Sequence, residues 1–323
     1  MKAVVRDVYG APDVLTLQEI DRPEVTDDEL LVRVRATSVN PADWHGLTGT
    51  PYVARLVMGL LKPKPERLGI DFAGTVEAVG SNVKQFQPGD EVFGASSGAF
   101  AEYVSVREDR AVVSKPANLT FEAAAAVPVA GLTALQGLRD HGHIQPGQKV
   151  LINGASGGVG TFAVQIAKAL GAEVTGVCST RNADAVRSLG ADHVIDYTRE
   201  DFTRSGRRYD LLLDIAGSRS WSECKRVLNP TATLVIVGGP KKNRLLGPLS
   251  HVVKVSVAAM GSSQKAVFFI AKTNKPDIVI LQELLASGKV RSVIDKRHGL
   301  GEIAGALREL GQGHAPGKIV ITV

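Results

Sequence analysis

The chain has 323 residues, 44% hydrophobic and 22% charged, near the averages of globular proteins, which excludes disorder as its main state and, at roughly 150 residues per domain, leads to an expectation of about two domains. No apolar run is long enough for a membrane span, Met1–Asp7 lacks the apolar core of a secretory signal, and two isolated cysteines, Cys178 and Cys224, make no disulfide framework, so a cytoplasmic protein is expected. The net charge of +5 and pI near 9.2 admit an anionic ligand, but the basic runs Arg204–Arg208 and Lys241–Arg244 are short and not interleaved with aromatics, so nucleic acid is not an expected partner. A basic amphipathic helix of the kind that lies on a membrane is not evident either.

The first part of the chain is strand-rich. Apolar and polar residues alternate from Leu31 in Leu30–Ala36 and again in Gly74–Gly80, the mark of half-buried strands. Short strands at Asp90–Gly94 and Ala101–Val106, with a turn at Gly89-Asp90, predict a compact, partly closed antiparallel body. Near residue 120 the pattern changes: Thr120 caps a helix start at Phe121, and strands then alternate with helices. Strands are expected at Val150–Asn153, Glu173–Val177, His193–Ile195, Asp210–Asp214, Thr233–Val237 and Lys265–Ile270, and helices at Thr161–Leu170 and Ala183–Leu189. Continuous apolar strands separated by helices predict a doubly wound parallel sheet. A helix at Ile278–Ala286 and a strand at Lys318–Val323 close the chain.

Gly154-Ala155-Ser156-Gly157-Gly158-Val159-Gly160 follows a strand and opens a helix. Pyrophosphate must approach backbone N–H groups at a helix N-terminus, where the dipole favours negative charge, and side chains would block that approach. Strand, loop, helix and second strand fall within about 30 residues, as a dinucleotide-binding unit demands. An NAD-type site places an acid after the second strand to hold the ribose 2′-hydroxyl. Here that strand ends in Ser179-Thr180-Arg181, with no acid before Asp184. Hydroxyls and a guanidinium suit a 2′-phosphate, so the expected cofactor is NADPH. Cys178 reads as buried filler rather than a nucleophile.

In combination, Asn40-Pro41-Ala42-Asp43, Gly69-Ile70-Asp71-Phe72-Ala73-Gly74-Thr75-Val76-Glu77-Ala78-Val79-Gly80, Gly89-Asp90-Glu91-Val92, Val129-Ala130-Gly131-Leu132-Thr133-Ala134 and Gly317-Lys318-Ile319-Val320 resemble the medium-chain dehydrogenase/reductase superfamily, in its zinc-independent quinone oxidoreductase (zeta-crystallin-like) branch. The resemblance covers nearly the whole chain. It implies an α/β protein: a GroES-like, β-rich catalytic domain from residues 1–123 and 271–323, with a doubly wound Rossmann NADP-binding domain at 124–270 between them.

Zinc-dependent relatives hold their metal with a thiolate, an imidazole and a carboxylate. By the motif alignment Asn40 and Ile70 stand at the first two positions and only Asp71 remains, so no metal is expected. Quinones and conjugated enones spread incoming charge onto oxygen, and positioning with hydrogen bonds then suffices. The resemblance puts Asn40 and Asp43 at the cleft floor near the nicotinamide, where Asn40 orients ribose or substrate, or merely precedes Pro41 in a structural turn. His45 stands where several relatives carry tyrosine; it or Tyr52 is the candidate proton donor, the alternatives being a surface histidine and a loop-packing tyrosine. Val53–Pro65, with Arg55, Lys62 and Lys64, is unlike the short loops of the family and is expected to form a lid or shape the substrate entrance.

The resemblance further implies that Thr133 contacts the nicotinamide amide, that Lys318 pairs with Asn40 or the ribose, and that Tyr197 lies near the adenosine phosphate. Ala216-Gly217 and Val237-Gly238 end strands at the carboxyl edge, where ligands bind in such sheets. Phe268 and Phe269 fall on the sixth strand, whose family counterpart lines the nicotinamide and pairs two subunits, so a homodimer through the cofactor domain is expected. Three functions compete: an NADPH-dependent quinone reductase, a reductase of α,β-unsaturated carbonyls, and a non-catalytic NADPH-binding protein with a structural or RNA-binding role.

Overall fold

The computed structural model describes every residue except 65, 66, 240–244, 246 and 314. The basic run Lys241–Arg244 and the final residue of Val53–Pro65 lie outside the described residues. In chain order the elements are β1 (Lys2–Val5), β2 (Thr16–Glu19), β3 (Glu29–Ser38), α1 (Pro41–Thr48), α2 (Arg55–Met58), β4 (Asp71–Val79), β5 (Glu91–Ala95), β6 (Tyr103–Arg107), β7 (Val112–Ser114), α3 (Phe121–Ala125) and α4 (Pro128–Gln136). There follow β8 (Lys149–Asn153), α5 (Gly158–Ala169), β9 (Glu173–Cys178), α6 (Ala183–Ser188), β10 (His193–Asp196), β11 (Tyr209–Asp214), α7 (Trp221–Lys225), β12 (Leu228–Ile236), α8 (Pro248–Ala259) and β13 (Lys265–Phe268). The chain ends with α9 (Lys275–Ala286), β14 (Ile294–Gly299), α10 (Ile303–Gln312) and β15 (Lys318–Thr322).

Two compact units result: Met1–Leu132 with Thr273–Val323, and Thr133–Lys272. The first division falls inside α4 rather than at 123/124. Helix α3 buries Ala124 and Ala125, and Ser292 donates to the Ala123 carbonyl, so this stretch packs with the first unit.

In the first unit a seven-stranded sheet is organised around β3. The first half of β3 pairs antiparallel with β6, the last residues pair antiparallel with β15, and β4 runs along its other edge. The alternation that begins at Leu31 puts Leu30, Val32 and Val34 into a core with Phe72, Val76, Val92 and Val104. A second apolar cluster packs Leu47 of α1 and Ile303, Ala306 and Leu307 of α10 against Ile319 and Ile321 of β15. Helices α1, α2, α4, α7, α8 and α10 and strands β1, β2, β7 and β14 were not among the expected elements. Most are short, half-exposed or broken by glycine, so periodicity marks them weakly; α10 is the exception, with Ile303, Ala306, Leu307 and Leu310 at helical spacing on the face that packs inward, a signal the sequence carried and the reading overlooked.

The second unit holds a parallel six-stranded sheet in the order β10-β9-β8-β11-β12-β13. The order reverses between β8 and β11, and the carboxyl ends of strands at such a switch point form the ligand crevice of open α/β sheets. Leu151, Leu212, Leu234 and Ile236 pack on Trp221, Val252 and Val255 along one face.

Two glycines of the first unit give opposite expectations. A Cβ on Gly74 of β4 would lie 2.1 Å from the Arg33 carbonyl oxygen, whereas one on Gly305 in α10 meets nothing within 4 Å. Gly74→Ala should destabilise by about 1–3 kcal/mol, and Gly305→Ala should stabilise by roughly 0.5–1 kcal/mol. Urea unfolding midpoints check both signs.

Candidate functional site

The first unit contains a buried polar centre assembled from both ends of the chain. Asp71 begins β4 directly opposite Ser38 of β3. Its Oδ2 accepts from Ser38 Oγ at 2.5 Å, Asn40 Nδ2 at 2.8 Å and Lys318 Nζ at 3.3 Å; its Oδ1 accepts from the Val129 N–H at 2.9 Å. Lys318 Nζ also donates to Asn40 Oδ1 at 2.5 Å and to the Val39 carbonyl at 3.3 Å. Ser38, Asn40, Asp71 and Lys318 are all buried. The three ammonium hydrogens thus have three acceptors. Asn40 Nδ2 is divided between Asp71 and the Ser38 carbonyl, the latter at 3.4 Å. In this arrangement the amide and the ammonium are spent on each other and on Asp71, which makes them positioning groups for the turn into α1.

Asp43 sits in the first turn of α1. Its Oδ2 accepts from the Asn40 N–H at 2.8 Å and its Oδ1 from the Gly69 N–H at 3.1 Å, so it fastens that helix start to the approach to β4. Burial pushes its carboxyl up to about 7, with the Asp71 charge adding to the rise and the two N–H donors and Lys318 opposing it. Nearby, the buried Arg6 guanidinium donates to the Gly46 carbonyl through one terminal nitrogen, while its Nε has no partner among the described residues. Burial lowers the Arg6 pKa, against the attraction of Tyr9 and Asp43.

The two candidate proton donors lie beyond this centre. His45 Nδ1 is 2.7 Å from the Thr50 carbonyl oxygen, which can only accept, so that nitrogen carries a proton. Tyr52 is 40% exposed and lies under the Arg55 guanidinium, 4.7 Å from its ring centre.

In the second unit the glycine-rich turn links β8 to the N-terminus of α5, and three of its glycines have separate reasons. Gly154 has φ +93°, a conformation L side chains avoid. A Cβ on Gly160 would lie 2.1 Å from the Gly154 carbonyl oxygen, so the helix can approach the turn only without a side chain there. At Gly157 a Cβ would meet only that same oxygen, at 3.7 Å. The turn is therefore open on the side where the first N–H groups of α5 emerge with no acceptor inside the helix. This donor set fits a pyrophosphate.

The switch point is locked by Asp214 at the end of β11. Its Oδ1 accepts from Asn153 Nδ2 at 2.8 Å and from the Gly217 N–H at 2.9 Å; its Oδ2 is buried without a partner among the described residues. Burial raises the Asp214 pKa. Cβ atoms on Gly217 and Gly238 would lie 2.4 Å and 2.1 Å from the carbonyl oxygens of Gly238 and Ile215, so the loops after β11 and β12 interlock, with Ala216 and Val237 beside them.

After β9, Asn182 Nδ2 donates to Ser156 Oγ at 3.0 Å and Ser179 Oγ at 3.3 Å, tying the glycine turn to the next loop. Thr180 donates to Asp196 Oδ2 at 2.5 Å. Arg181 and Tyr197 are exposed there. Thr133 is buried at the start of this unit. Phe268 ends β13, and Phe269 stacks on His141 with ring centres 4.3 Å apart. Cys178 is buried, and burial raises its thiol to about 11, which removes the thiolate a nucleophile needs.

Sequence reading overlooked Ser38, Arg6, Asn182, Asp196 and Asp214. Asp214 had a signal, an acid closing an otherwise apolar strand; Arg6 and Asn182 had none, because only the fold brings their partners near.

A family model described as an alcohol dehydrogenase GroES-like domain matches residues 26–117, and one described as a zinc-binding dehydrogenase matches residues 189–321. The chain is 35% identical to the mouse protein named NAD(P)H oxidoreductase RTN4IP1, mitochondrial, over 100% of this chain and 89% of that one. It belongs to the medium-chain dehydrogenase/reductase superfamily, in its quinone oxidoreductase branch. Spinach (Spinacia oleracea) quinone-oxidoreductase homolog, chloroplastic, is 32% identical over 99% of this chain and 98% of its own. Arabidopsis thaliana NADPH-dependent alkenal/one oxidoreductase, chloroplastic, is 33% identical over 99% of this chain and 79% of its own. The crystal structure of Escherichia coli quinone oxidoreductase complexed with NADPH superposes with TM-score 0.85 and 26% identity over 100% of both chains. The first unit is thus the superfamily's GroES-like domain, the second its Rossmann domain, and the protein is an oxidoreductase.

The superfamily's zinc does not fit the polar centre. The centre's two carboxylates are already engaged, Asp71 by an ammonium at 3.3 Å and Asp43 by two backbone N–H groups, and Asn40 stands in place of a thiolate. No group of three or more histidine, cysteine, aspartate or glutamate side chains that could hold a metal occurs among the described residues.

The centre's electrostatics have a pH signature. The Asp43 carboxyl titrates at about 7 in the fold against an ordinary value of 3.8, so the folded state binds the extra proton between these limits. Its contribution to stability is complete below about pH 4 and is lost as pH rises through about 7. Asp43→Asn should flatten this slope in urea unfolding measured across that window. Lys318→Met should cost about 3–5 kcal/mol by leaving the Asp71 charge buried.

Proposed function

We propose that the protein is an NADPH-dependent, metal-independent reductase that carries a hydride to a quinone. The observation that carries this reading is the open glycine turn at the switch point, followed by a second strand that runs into Ser179-Thr180-Arg181 with no acid of its own, the neighbouring Asp196 of β10 being taken by the Thr180 hydroxyl. The names of the spinach and Escherichia coli proteins support the quinone. The Arabidopsis alkenal/one oxidoreductase supports a second reading, an α,β-unsaturated carbonyl as acceptor.

When bound, the dinucleotide supplies a hydride, and quinone, NADPH and a proton become hydroquinone and NADP⁺. The N–H groups at Gly158, Val159 and Gly160, in the first turn of α5, would hold the pyrophosphate, while the Gly157 N–H is kept by the Gly154 carbonyl within the turn. Arg181 forks onto the 2′-phosphate, beside Ser179, Thr180 and Tyr197. Thr133, Ala155, Ser156, Ala216, Gly217, Val237, Gly238, Phe268 and Phe269 surround the rest of the cofactor. Asn40, Asp43 and Lys318 act as a fixed frame, and proton delivery falls to the Tyr52 hydroxyl or to His45 in its imidazolium form, because Nδ1–H is held by the Thr50 carbonyl and Nε2 carries a proton only when the ring is charged. Two buried cysteines without disulfides fit a reducing cytoplasm.

A homodimer through the Rossmann domain completes the reading. Strand β13 pairs only with β12 among the described residues, and α8 beside it exposes Leu249, Val253 and Val257, followed by Met260. A free strand edge next to an apolar helix face is an association surface.

Three measurements test this. Absorbance at 340 nm should show NADPH oxidation with naphthoquinone, undiminished by chelator and slower with NADH; turnover confined to enones would move the assignment to the second reading, and no turnover would end it. Arg181→Ala should raise the KM for NADPH about tenfold or more while leaving kcat near its original value. Light scattering should give twice the chain mass, and V253K/V257K should give one chain mass.

A further inference from the structure

Among the described residues the largest concentration of exposed apolar side chains lies in the segment between α1 and β4, beginning just after the candidate donor Tyr52. Leu56 is 73% exposed, Val57 90%, Leu60 63% and Leu61 88%. Four such side chains within six consecutive residues form a patch that a water-facing surface does not ordinarily carry.

The backbone beneath them is held firmly. The Tyr9 hydroxyl lies 2.8 and 2.7 Å from the carbonyl oxygens of Met58 and Gly59. Arg55 donates through Nε to the Gly49 carbonyl at 2.9 Å, and its guanidinium lies between the rings of Tyr9 and Tyr52, 4.4 and 4.7 Å from their centres. The Lys64 N–H donates to the Met58 carbonyl at 2.6 Å. These bonds fix the inner side of the segment, so its apolar side chains are presented outward by structure.

The charge near the patch is mainly basic. Lys62 and Lys64 border the leucines and are exposed, with Arg55 and Arg67 to either side, against one carboxylate in that stretch, Glu66, which lies outside the described residues. Apolar side chains bordered by ammonium groups match an anionic bilayer surface: the former enter the acyl boundary and the latter meet phosphate headgroups. A protein partner with an acidic rim would need a matching apolar groove, whereas a bilayer accepts any convex apolar patch.

We propose that Leu56, Val57, Leu60 and Leu61, with Lys62 and Lys64, dock the protein peripherally on membranes that contain anionic lipid. The proposal goes beyond the proposed function and draws on it only for purpose, since quinones and long-chain enones partition into bilayers. The sequence leaves peripheral membrane association open but offers no amphipathic basic helix for it, and the structure supplies none here: α2 is one turn long, and the patch continues past it through Gly59.

Flotation of the full-length protein with phosphatidylcholine vesicles, with and without phosphatidylglycerol, tests this. The protein should float with the anionic vesicles only, and less as salt rises. Each lysine near an anionic surface is worth about fivefold in partitioning, so K62Q/K64Q should lower it about 30-fold. L56S/V57S/L61S should abolish flotation while NADPH binding by fluorescence stays unchanged. No flotation of the unaltered protein, or equal flotation of the variants, overturns the proposal. So does a fall in oligomeric mass in L56S/V57S/L61S without vesicle binding, which would mean that a second copy covers the patch. A rise in quinone KM without vesicle binding would make the segment a lid and overturn it too. Flotation needs no turnover, so its failure and a failure of the reductase reading are separate results.

Discussion

The buried ammonium of Lys318 is the constraint on which the first unit depends. It sits 278 positions from Asn40 and 247 from Asp71 in the sequence, yet it bonds to both. A lysine buried this deeply is tolerated only with a charge partner and its hydrogen bonds satisfied. Meeting that demand places β15 against the end of β3 and brings Asn40, at the turn into α1, to the same point. Asp43 then adds two backbone N–H bonds. The turn between β3 and α1 is thus fixed by charge at its centre and by capping at its rim.

The second unit solves a different problem. Its ligand end must stay open to an anion while the strands that form it remain closed to water. Asp214 does this with one oxygen, joining β8 through Asn153 to the loop after β11 through Gly217. The glycines at 217 and 238 let the neighbouring loops approach until a Cβ would collide with backbone. What remains uncovered is the turn before α5, where Gly157 leaves room and the helix supplies N–H groups.

Much of this was legible in the sequence because local chemistry decides it. The alternation from Leu31 marks β3, the apolar runs at Val150 and Leu211 mark buried parallel strands, and Gly154 to Gly160 announces the phosphate turn. The motifs around Asn40, Asp71 and Lys318 located the polar centre through family resemblance, although residue types alone do not say that the three meet. Asn182 joining Ser156 to Ser179, and Asp196 taking the Thr180 hydroxyl, were out of reach: an asparagine in a loop and an aspartate at a strand end occur in every protein, and only the fold selects their partners. Exposure is still harder to read. Leu60 and Leu61 look like core residues in the sequence, and their position on the surface follows from where Tyr9 and Arg55 hold the backbone.

A fixed ammonium and a metal ion make different catalytic surroundings. A metal with an open position accepts an oxygen lone pair directly and stabilises an alkoxide. The Lys318 charge has all three donors engaged with protein oxygens, so it supplies a fixed field and a rigid frame with no open coordination position. The same burial that spends the ammonium raises the Asp43 carboxyl to about 7. Protonation there removes one negative charge from the centre and weakens one of the two N–H bonds that Asp43 accepts, so the centre becomes more positive, and its rim looser, when the medium is more acidic.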